Sequence, residues 1–297
     1  MAKIPQLDNS RHPPYISPMI KKSLLKLVPK RWRTKSHTIH ILRLEGVIVA
    51  ERSLTGKVLN SKSLEPLLKK AFKKGVSAVA LAINCPGGSP VQSAIIANRI
   101  RALAAENKTP VYAFCEDVAA SGGYWLACAA DEIYADENSI VGSIGVISGG
   151  FGFSSAMKKY GIERRVHTSG ESKSTNDPFK PEKPEDVKKL KSMLSEMHET
   201  FKAEVRARRK DRLKETKELF SGAYWTGRKS VELGLIDGLG HLEEVLKRKF
   251  GNKIELNEIE APKGWGLKRL GFSAAIEMPE AILNTLEQRA LWQRFGL

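Results

Sequence analysis

Apolar and polar residues alternate through the middle of the chain in a way that predicts strands and helices in turn. Residues 37–49 alternate and then run apolar, which is typical of a strand. Residues 61–73 place leucine and phenylalanine on one helical face. Residues 76–83 are almost continuously small and apolar, as expected for a strand that is buried in a parallel sheet.

The same pattern continues toward residue 147. It predicts a helix over 91–105, a buried strand over 110–115, a short buried helix over 123–130 and a strand over 131–136. A glycine-punctuated strand and turn is predicted over 139–147. Strands that alternate with helices favour a parallel sheet joined by right-handed crossovers. The predicted fold class is therefore α/β.

The second half of the chain is predicted to be mainly helical. A polar, proline-rich loop over 175–186 precedes a long helix, and the charge run over 206–210 at the end of that helix is expected to be solvated. The apolar face of this helix carries Val187, Leu190, Leu194, Met197, Phe201 and Val205. Further helices and a turn at 234–240 follow.

Three domains are predicted: a basic N-terminal arm (1–36), a catalytic domain (37–250) and a C-terminal extension (251–297). The extension is predicted to form a strand and, after a hinge, an amphipathic helix from Pro279. The sequence leaves open whether this extension closes over the active site.

Composition places the chain among globular proteins of a reducing compartment. With 297 residues and 41% hydrophobic residues, it can form one large α/β domain with extensions. The three cysteines, Cys85, Cys115 and Cys128, form no CxxC pair, so a disulfide framework and a structural zinc site are not expected. No membrane-spanning run or secretory signal peptide is visible, and a cytoplasmic location is expected.

Positive charge is concentrated at the N-terminus. The formal net charge is +16, and residues 1–36 hold nine basic residues against one acidic residue. Residues 20–35 mix lysines with leucines and a tryptophan. One interpretation is a peripheral contact with the anionic inner face of a membrane. The other is a solvated arm whose leucines dock on the domain or on a neighbouring subunit. No nucleic-acid-binding motif is present, and no nucleic acid is expected as a partner.

The first candidate for chemistry is the lone serine of EDVAASGGYW, Ser121. It follows a buried strand and precedes a short helix, whose free N–H groups and dipole favour negative charge. Gly122 and Gly123 let a substrate backbone approach. These features suit a nucleophile whose attack creates an oxyanion. The alternative is a structural serine that caps the helix.

A second glycine pair follows the preceding strand in NCPGG, residues 84–88. In a parallel sheet both loops lie at the carboxyl ends of their strands, where ligands usually bind. The N–H groups of Gly88 and Gly122 could then form a two-donor oxyanion hole. The alternative is a tight turn that needs positive φ.

The proton acceptor for Ser121 is not obvious among the histidines. There are six of them: His12, His37, His40, His167, His198 and His241. His167 is the only one near the right region, and it is predicted to be an ordinary strand residue. Lys173 follows in a loop, and a lysine that is buried beside a serine can lose its proton and act as the base. The alternative is a solvent-exposed lysine.

Five motifs together resemble the S49 peptidase family, the signal peptide peptidase A and SohB group. They are NCPGG (84–88), DVAASGGYW (117–125), SIVGSIGV (139–146), GESKS…DPF (170–179) and GLIDGLG (234–240). Each motif is weak alone, but their order and spacing are specific.

This resemblance implies a ClpP/crotonase-like fold of ββα units in ring-like homo-oligomers. It assigns Ser121 as nucleophile, Lys173 as general base and Ser143 as the residue that orients the lysine. Gly88 and Gly122 supply the oxyanion-hole amides. Neither cofactor nor metal is implied, and the partner is a peptide or protein substrate.

The chain departs from the family pattern at three points. Cys85 replaces the usual serine before the proline, which suggests redox sensitivity near the site. Ser172 replaces the usual tyrosine before the base lysine, so the pocket wall is expected to differ. The family's N-terminal membrane anchor is not seen, which puts a membrane-bound role in doubt.

The sequence therefore predicts a serine endopeptidase with a Ser-Lys dyad. Its expected substrates are signal-peptide remnants or other apolar, unfolded polypeptides, as the nearby Val91, Val118, Tyr124 and Ile144 suggest. One alternative is a crotonase-fold acyl-CoA enzyme, which shares the oxyanion-hole logic. The other is a non-catalytic scaffold at a membrane surface.

Overall fold

The structure, a computed structural model, describes residues 36–50, 58–170, 172–214, 216–260 and 289–297. Most of the basic N-terminal arm and the start of the amphipathic helix from Pro279 lie outside these residues, so the predicted membrane contact stays a prediction. No helix within the described ranges combines the length and apolar character needed to cross a membrane.

The described residues form ten strands and seven α-helices, besides a last helical stretch at 289–293. The strands are β1 (His37–Glu45), β2 (Val47–Ile48), β3 (Val58–Leu59), β4 (Ala78–Cys85), β5 (Val111–Ala120), β6 (Glu132–Ala135), β7 (Ile140–Gly142), β8 (Tyr224–Thr226), β9 (Gly238–Leu239) and β10 (Ile254–Glu258). The helices are α1 (Ser61–Ala71), α2 (Pro90–Asn107), α3 (Gly122–Ala127), α4 (Ser154–Lys159), α5 (Pro184–Arg209), α6 (Gly227–Glu232) and α7 (Leu242–Phe250).

The central sheet is parallel along its main path, in the order β10-β1-β4-β5-β6-β9. Strand β5 is long enough to pair with β6 through its first half and with β7 through its second. Among the described strands of this sheet, only β8, which pairs with β7, is antiparallel. The α/β fold class predicted from the alternating pattern is confirmed. Edge strand β10 belongs to residues that were predicted as a C-terminal extension.

Helices cover both faces of the sheet. On one face, side chains such as Leu81 and Ile83 of β4 pack in the main core with α1, α2 and α3. On the other face, Ala80 of the same strand packs with Val245 and Leu246 of α7. Because every second residue of β4 faces each layer, the strand must be apolar throughout. All eight of its residues except Asn84 are buried.

Helix α3, which begins directly after Ser121, is buried along its whole length. Helix α5 crosses over it, and the rings of Trp125 and Phe201 stack at a centroid distance of 4.6 Å. This contact uses only the end of the predicted apolar face of α5. Phe201 and Val205 are buried, whereas Met197 is 41% exposed. The first half of that face is only half-buried by the described residues, at Val187, Leu190 and Leu194.

Two local predictions were wrong. Residues 162–168, which include His167, form no strand. The charge run at 206–210 is not a solvated end, because Arg209 is 1% exposed and Arg208 donates to the Cys128 carbonyl at 2.7 Å. Cations are favourable beside the last carbonyls of a helix, and the Arg208 guanidinium binds just after the end of α3.

Arg209 holds the turn at 234–240 through a buried ion pair. Its guanidinium lies 2.8 Å from the Asp237 carboxylate and donates to the Gly234 carbonyl at 2.9 Å. Burial would raise the pKa of the Asp237 carboxyl, but the hydrogen bond and charge of Arg209 outweigh it and the pKa is lowered. The ion pair thus fixes the end of α5 to the turn.

We expect Asp237→Asn to lower the free energy of unfolding by about 3 kcal/mol at neutral pH, because it leaves the Arg209 charge buried and unpaired. The carboxylate stabilises the fold fully above its ordinary pKa of 3.8, and this contribution is lost as the pH falls through the lower folded value. The difference between the two proteins should therefore shrink in acid. Urea unfolding at several pH values measures it. Glu232→Gln, which removes an exposed pair with Lys229, is the control and should have almost no effect.

Candidate active site

Ser121 lies where β5 ends and α3 begins, in a strained backbone conformation. Its φ is 51° and its ψ is −120°, a region that residues with a side chain rarely adopt. Its N–H donates to the Gly142 carbonyl at 2.8 Å, which ties it to the end of β7. Such strain persists only where surrounding contacts impose it, and it is frequent at functional sites.

The hydroxyl of Ser121 does not cap the helix. Ser121 occupies the N-cap position of α3, but its side chain accepts no hydrogen bond from the helix amides. By contrast, the side chains of Asn60 and Thr226 accept such bonds at the starts of α1 and α6. The structural alternative for Ser121 therefore has no support in the geometry, and the Oγ atom stays available for another partner.

Two backbone amides lie beside Ser121. Gly88 pairs with Ile48 in an isolated parallel bridge. The Ile48 N–H donates to the Gly87 carbonyl, and the Ser89 N–H donates to the Ile48 carbonyl. The Gly88 N–H therefore points away from Ile48, and it has no acceptor in the described part of the chain. The N–H of Gly122, at the first position of α3, also has no helical acceptor. The Gly88 nitrogen lies 3.4 Å from the point where a Cβ on Gly122 would be.

Close backbone approach explains the glycines around this site. A Cβ on Gly88 would lie 2.0 Å from the Ile48 carbonyl oxygen, and the φ of Gly88 is +141°. A Cβ on Gly123 would lie 2.3 Å from the carbonyl oxygen of Cys85. Only glycine lets the end of β4 and the start of α3 come this close. The predicted tight turn and the predicted pair of amides are thus compatible.

Ser143 follows β7 and faces the same site. It is 4% exposed, its φ is 52°, and its N–H donates to the Ala223 carbonyl at 2.7 Å. Its side chain has no hydrogen-bond partner among the described residues. A second serine is therefore held in a strained conformation close to Ser121.

Both serines open into one small cavity of about 130 Å³, the Ser121 cavity. Its lining residues come from loops at the carboxyl ends of the strands and from the end of the chain: Pro86, Gly88, Pro90, Ser121, Ser143, Gly145, Val146, Ile147, Gly222, Leu291 and Arg294. The apolar residues that were predicted to surround the substrate do not line it. Val118, Tyr124 and Ile144 are fully buried in the core, and Val91 is 64% exposed.

Lys173 is not at the Ser121 cavity of its own chain. It lies in an exposed turn, in which its N–H donates to the Gly170 carbonyl at 3.2 Å. None of the described histidines lines the cavity either. His198 comes near through its ring, whose Nε2 lies 3.0 Å from the Ile144 carbonyl oxygen, so this nitrogen acts as a donor to the backbone. A single chain thus brings together Ser121, Ser143, Gly88 and Gly122 without the predicted base.

Cys85 does not make the site redox-sensitive. The thiol is fully buried, and burial raises its pKa to about 12. Because the thiolate is the reactive form, a thiol with such a pKa is inert near neutral pH. Cys85 acts instead as a small core residue under the NCPGG loop.

The C-terminal residues Leu291 and Arg294 are part of the site that the sequence did not identify. They lie 170 residues or more after Ser121 in the chain, and they reach the cavity only through tertiary packing. The five sequence motifs, which indicate the other site residues, end at residue 240 and give no indication of Leu291 or Arg294. The earlier question of whether the extension closes over the site is answered for residues 289–297, which form part of its wall.

The comparison with protein families agrees with the motifs. The model of peptidase family S49 matches residues 104–253. The chain is 45% identical over 286 residues to a Brucella melitensis protein named Na(+)/H(+) antiporter NhaA, a match over 92% of this chain and 39% of that protein. It is 33% identical over 183 residues to a candidate signal peptide peptidase SppA of Enterococcus faecium, over 62% of this chain and 53% of that protein. This chain thus spans about half or less of these two relatives.

A solved structure is also similar. It is a lysine-to-alanine mutant of the 1510-N membrane-bound stomatin-specific protease in complex with a substrate peptide. The alignment has a TM-score of 0.49 and 13% sequence identity, and it covers 77% of this chain and 95% of that chain.

An uncapped serine beside two backbone amides, at the carboxyl end of a parallel sheet, is an arrangement that suits nucleophilic attack and the binding of an oxyanion. The chain belongs to peptidase family S49. The predicted family and its ClpP/crotonase-like α/β fold are confirmed. Membership in a peptidase family also favours proteolysis over the acyl-CoA and scaffold alternatives.

Proposed function

We propose that this chain is a serine endopeptidase whose Ser-Lys dyad forms between two copies of the chain. Ser121 of one copy is the nucleophile, and Lys173 of the next copy is the base. The observation that carries the proposal is the uncapped Ser121 hydroxyl beside the open amides of Gly88 and Gly122. The separation of Lys173 from this cavity supports the contribution of a second copy.

A second copy would supply the burial that a lysine base needs. A lysine acts as a base only where burial favours its neutral form. Lys173 is exposed among the described residues of its own chain, so a contact beyond these residues has to remove it from water. A neighbouring Ser121 cavity would supply both the burial and a hydroxyl to deprotonate, and Ser143 would accept a hydrogen bond from the lysine.

The segment that carries Lys173 has the surface of an interface. This segment, residues 147–197, contains α4 and Lys173. Helix α4 within it has no buried residue, and its large apolar side chains are exposed: Ile147, Phe151, Phe153, Tyr160, Ile162, Phe179, Met193 and Met197. Phe151 is 80% exposed. Contiguous apolar surface of this kind marks protein interaction sites, and a ring of copies would cover it in every subunit.

The reaction follows from these positions. Neutral Lys173 takes the proton of the Ser121 hydroxyl as Oγ forms a bond to the peptide carbonyl carbon. The carbonyl oxygen becomes an oxyanion that accepts from the amides of Gly88 and Gly122. The carbon–nitrogen bond breaks, and protonated Lys173 gives its proton to the leaving amine. Water, deprotonated by the same lysine, then attacks the acyl carbon. The bond between this carbon and Oγ breaks, and the lysine returns the proton to Oγ, which releases the acid product and restores Ser121.

The proposed substrates are extended, apolar polypeptides such as signal-peptide remnants. The similarity to a candidate signal peptide peptidase supports this class. So do Val146, Ile147 and Leu291, which form the apolar wall of the Ser121 cavity. A cavity of about 130 Å³ holds one side chain rather than a folded segment, so the substrate must be locally unfolded.

A fluorophosphonate probe tests the nucleophile directly. We expect the wild-type chain to be labelled on Ser121, as mapped by mass spectrometry of the digested protein, and we expect an excess of an apolar peptide to slow the labelling. Labelling should disappear in the Ser121→Ala variant and persist in Ser63→Ala, a serine on α1 outside the cavity. Labelling that is unchanged in Ser121→Ala would contradict the assignment.

A further inference from the structure

A cation from the far end of the chain lies at the Ser121 cavity. Leu291 and Arg294 belong to the C-terminal segment, residues 289–297, and line the cavity together with Ser121 and Ser143. Arg294 is the one charged side chain among the lining residues that the structure describes. Arg294 therefore places a positive charge at the wall of the site.

Three contacts hold the C-terminal segment in place. Phe295 is 7% exposed and packs against Val118 and Ala120. Its ring also meets that of Tyr224 edge-on, at a centroid distance of 5.1 Å. The Tyr224 hydroxyl donates to the Arg294 carbonyl at 3.3 Å. Because Val118 and Ala120 lie on the same face of β5, just before Ser121, the segment is positioned by the strand that presents the nucleophile.

Among the described residues, Arg294 has no acidic partner. Its guanidinium lies over the ring of Phe295, with Cζ 5.8 Å from the centroid. In the described parts of the chain no carboxylate pairs with it. A guanidinium binds carboxylates through a rigid fork of donors and stays charged at all physiological pH values. It can therefore give an incoming carboxylate a charge-assisted hydrogen bond without first breaking an internal ion pair.

We propose that Arg294 is a specificity-determining residue that pairs with a carboxylate of the peptide substrate near the scissile bond. The inference rests on the proposed peptidase function of the Ser121 cavity. The carboxylate can come from an acidic side chain or from the free C-terminus of the substrate. The apolar wall selects an apolar side chain of the substrate, and Arg294 adds a preference for a negative charge beside it. Arg294 lies outside the five family motifs.

Peptide binding to the full-length Ser121→Ala chain tests this inference without turnover. Matched fluorescent peptides carry Glu, Gln or Lys at each position around the scissile bond, and each is made with a free and an amidated C-terminus. We expect one position, or the free terminus, at which the anionic peptide binds about fivefold more tightly than its neutral counterpart, as for one partly exposed ion pair. Arg294→Gln should abolish this difference, and Arg294→Glu should reverse it. Arg289→Gln, in the same segment but outside the cavity lining, should preserve it.

The outcomes separate this inference from the proposed function. A charge preference that survives in Arg294→Gln, or no preference at any position, would overturn the role of Arg294. Dependence on Arg294 only in the free-acid series would assign the carboxylate to the substrate terminus. The same peptides are also given to the wild-type chain. Charge-dependent binding without cleavage would contradict the peptidase mechanism and leave the role of Arg294 standing.

Discussion

Ser121→Ala is expected to lower kcat for peptide hydrolysis by about a thousandfold or more, the loss typical of a deleted nucleophile. Alanine removes the atom that attacks the carbonyl and leaves the oxyanion donors and the cavity wall in place. Peptide affinity should therefore change little. Steady-state kinetics with an apolar fluorogenic peptide, combined with a direct binding measurement, separates these two effects.

A companion variant uses the backbone strain of Ser121. Its φ of 51° and ψ of −120° are accessible to glycine without strain. Ser121→Gly should thus be inactive but more stable than the wild type, by about 1 kcal/mol in the free energy of unfolding. Ser63→Ala should change neither activity nor stability by much. Substantial hydrolysis by purified Ser121→Ala would rule out this serine as the nucleophile.

Lys173→Ala is expected to reduce hydrolysis by a similar factor, because the described residues that line the Ser121 cavity include no base of their own. The loss should appear in kcat, since the lysine moves protons and does not bind the bulk of the substrate. Lys173→Arg should be as inactive as the alanine variant, because a guanidinium does not give up its proton in proteins. Rates measured at saturating peptide give the comparison.

Lys180 provides the matched control. It lies in the same exposed loop region and donates from Nζ to the Ser174 hydroxyl at 3.3 Å. Lys180→Ala removes the same charge from the same surface and should leave kcat nearly unchanged. If Lys173→Arg retained most of the activity, positive charge rather than proton transfer would be the function of this position.

The strands and helices that build the site could be predicted because their sequence patterns are local. Strand β4 is buried on both faces, and its nearly continuous apolar run is the pattern expected of such a strand. The short helix after Ser121 is apolar throughout because it is buried throughout. The glycines of NCPGG indicated both a turn and a close backbone approach, and the structure shows that these are one feature.

Residues whose role depends on distant parts of the chain could not be predicted. In the sequence, Arg209 is one residue of a basic run, and its structural role is visible only from its buried contact with Asp237. Arg294 has no motif around it and reaches the cavity because Phe295 packs on β5. The apolar face of α5 does show helical spacing, but spacing cannot reveal whether the chain itself or a neighbour covers it.

The central claim is that Ser121 of one copy works with Lys173 of another, and co-expression of two inactive chains tests it most directly. Ser121→Ala and Lys173→Ala chains, carrying different affinity tags, are produced in one cell and purified through both tags. If each site takes its serine and its lysine from different copies, random mixing should restore about a quarter of the wild-type activity per site. Mixed assemblies that remain as inactive as either parent would contradict the account, because a dyad within one chain cannot be rebuilt from these two variants.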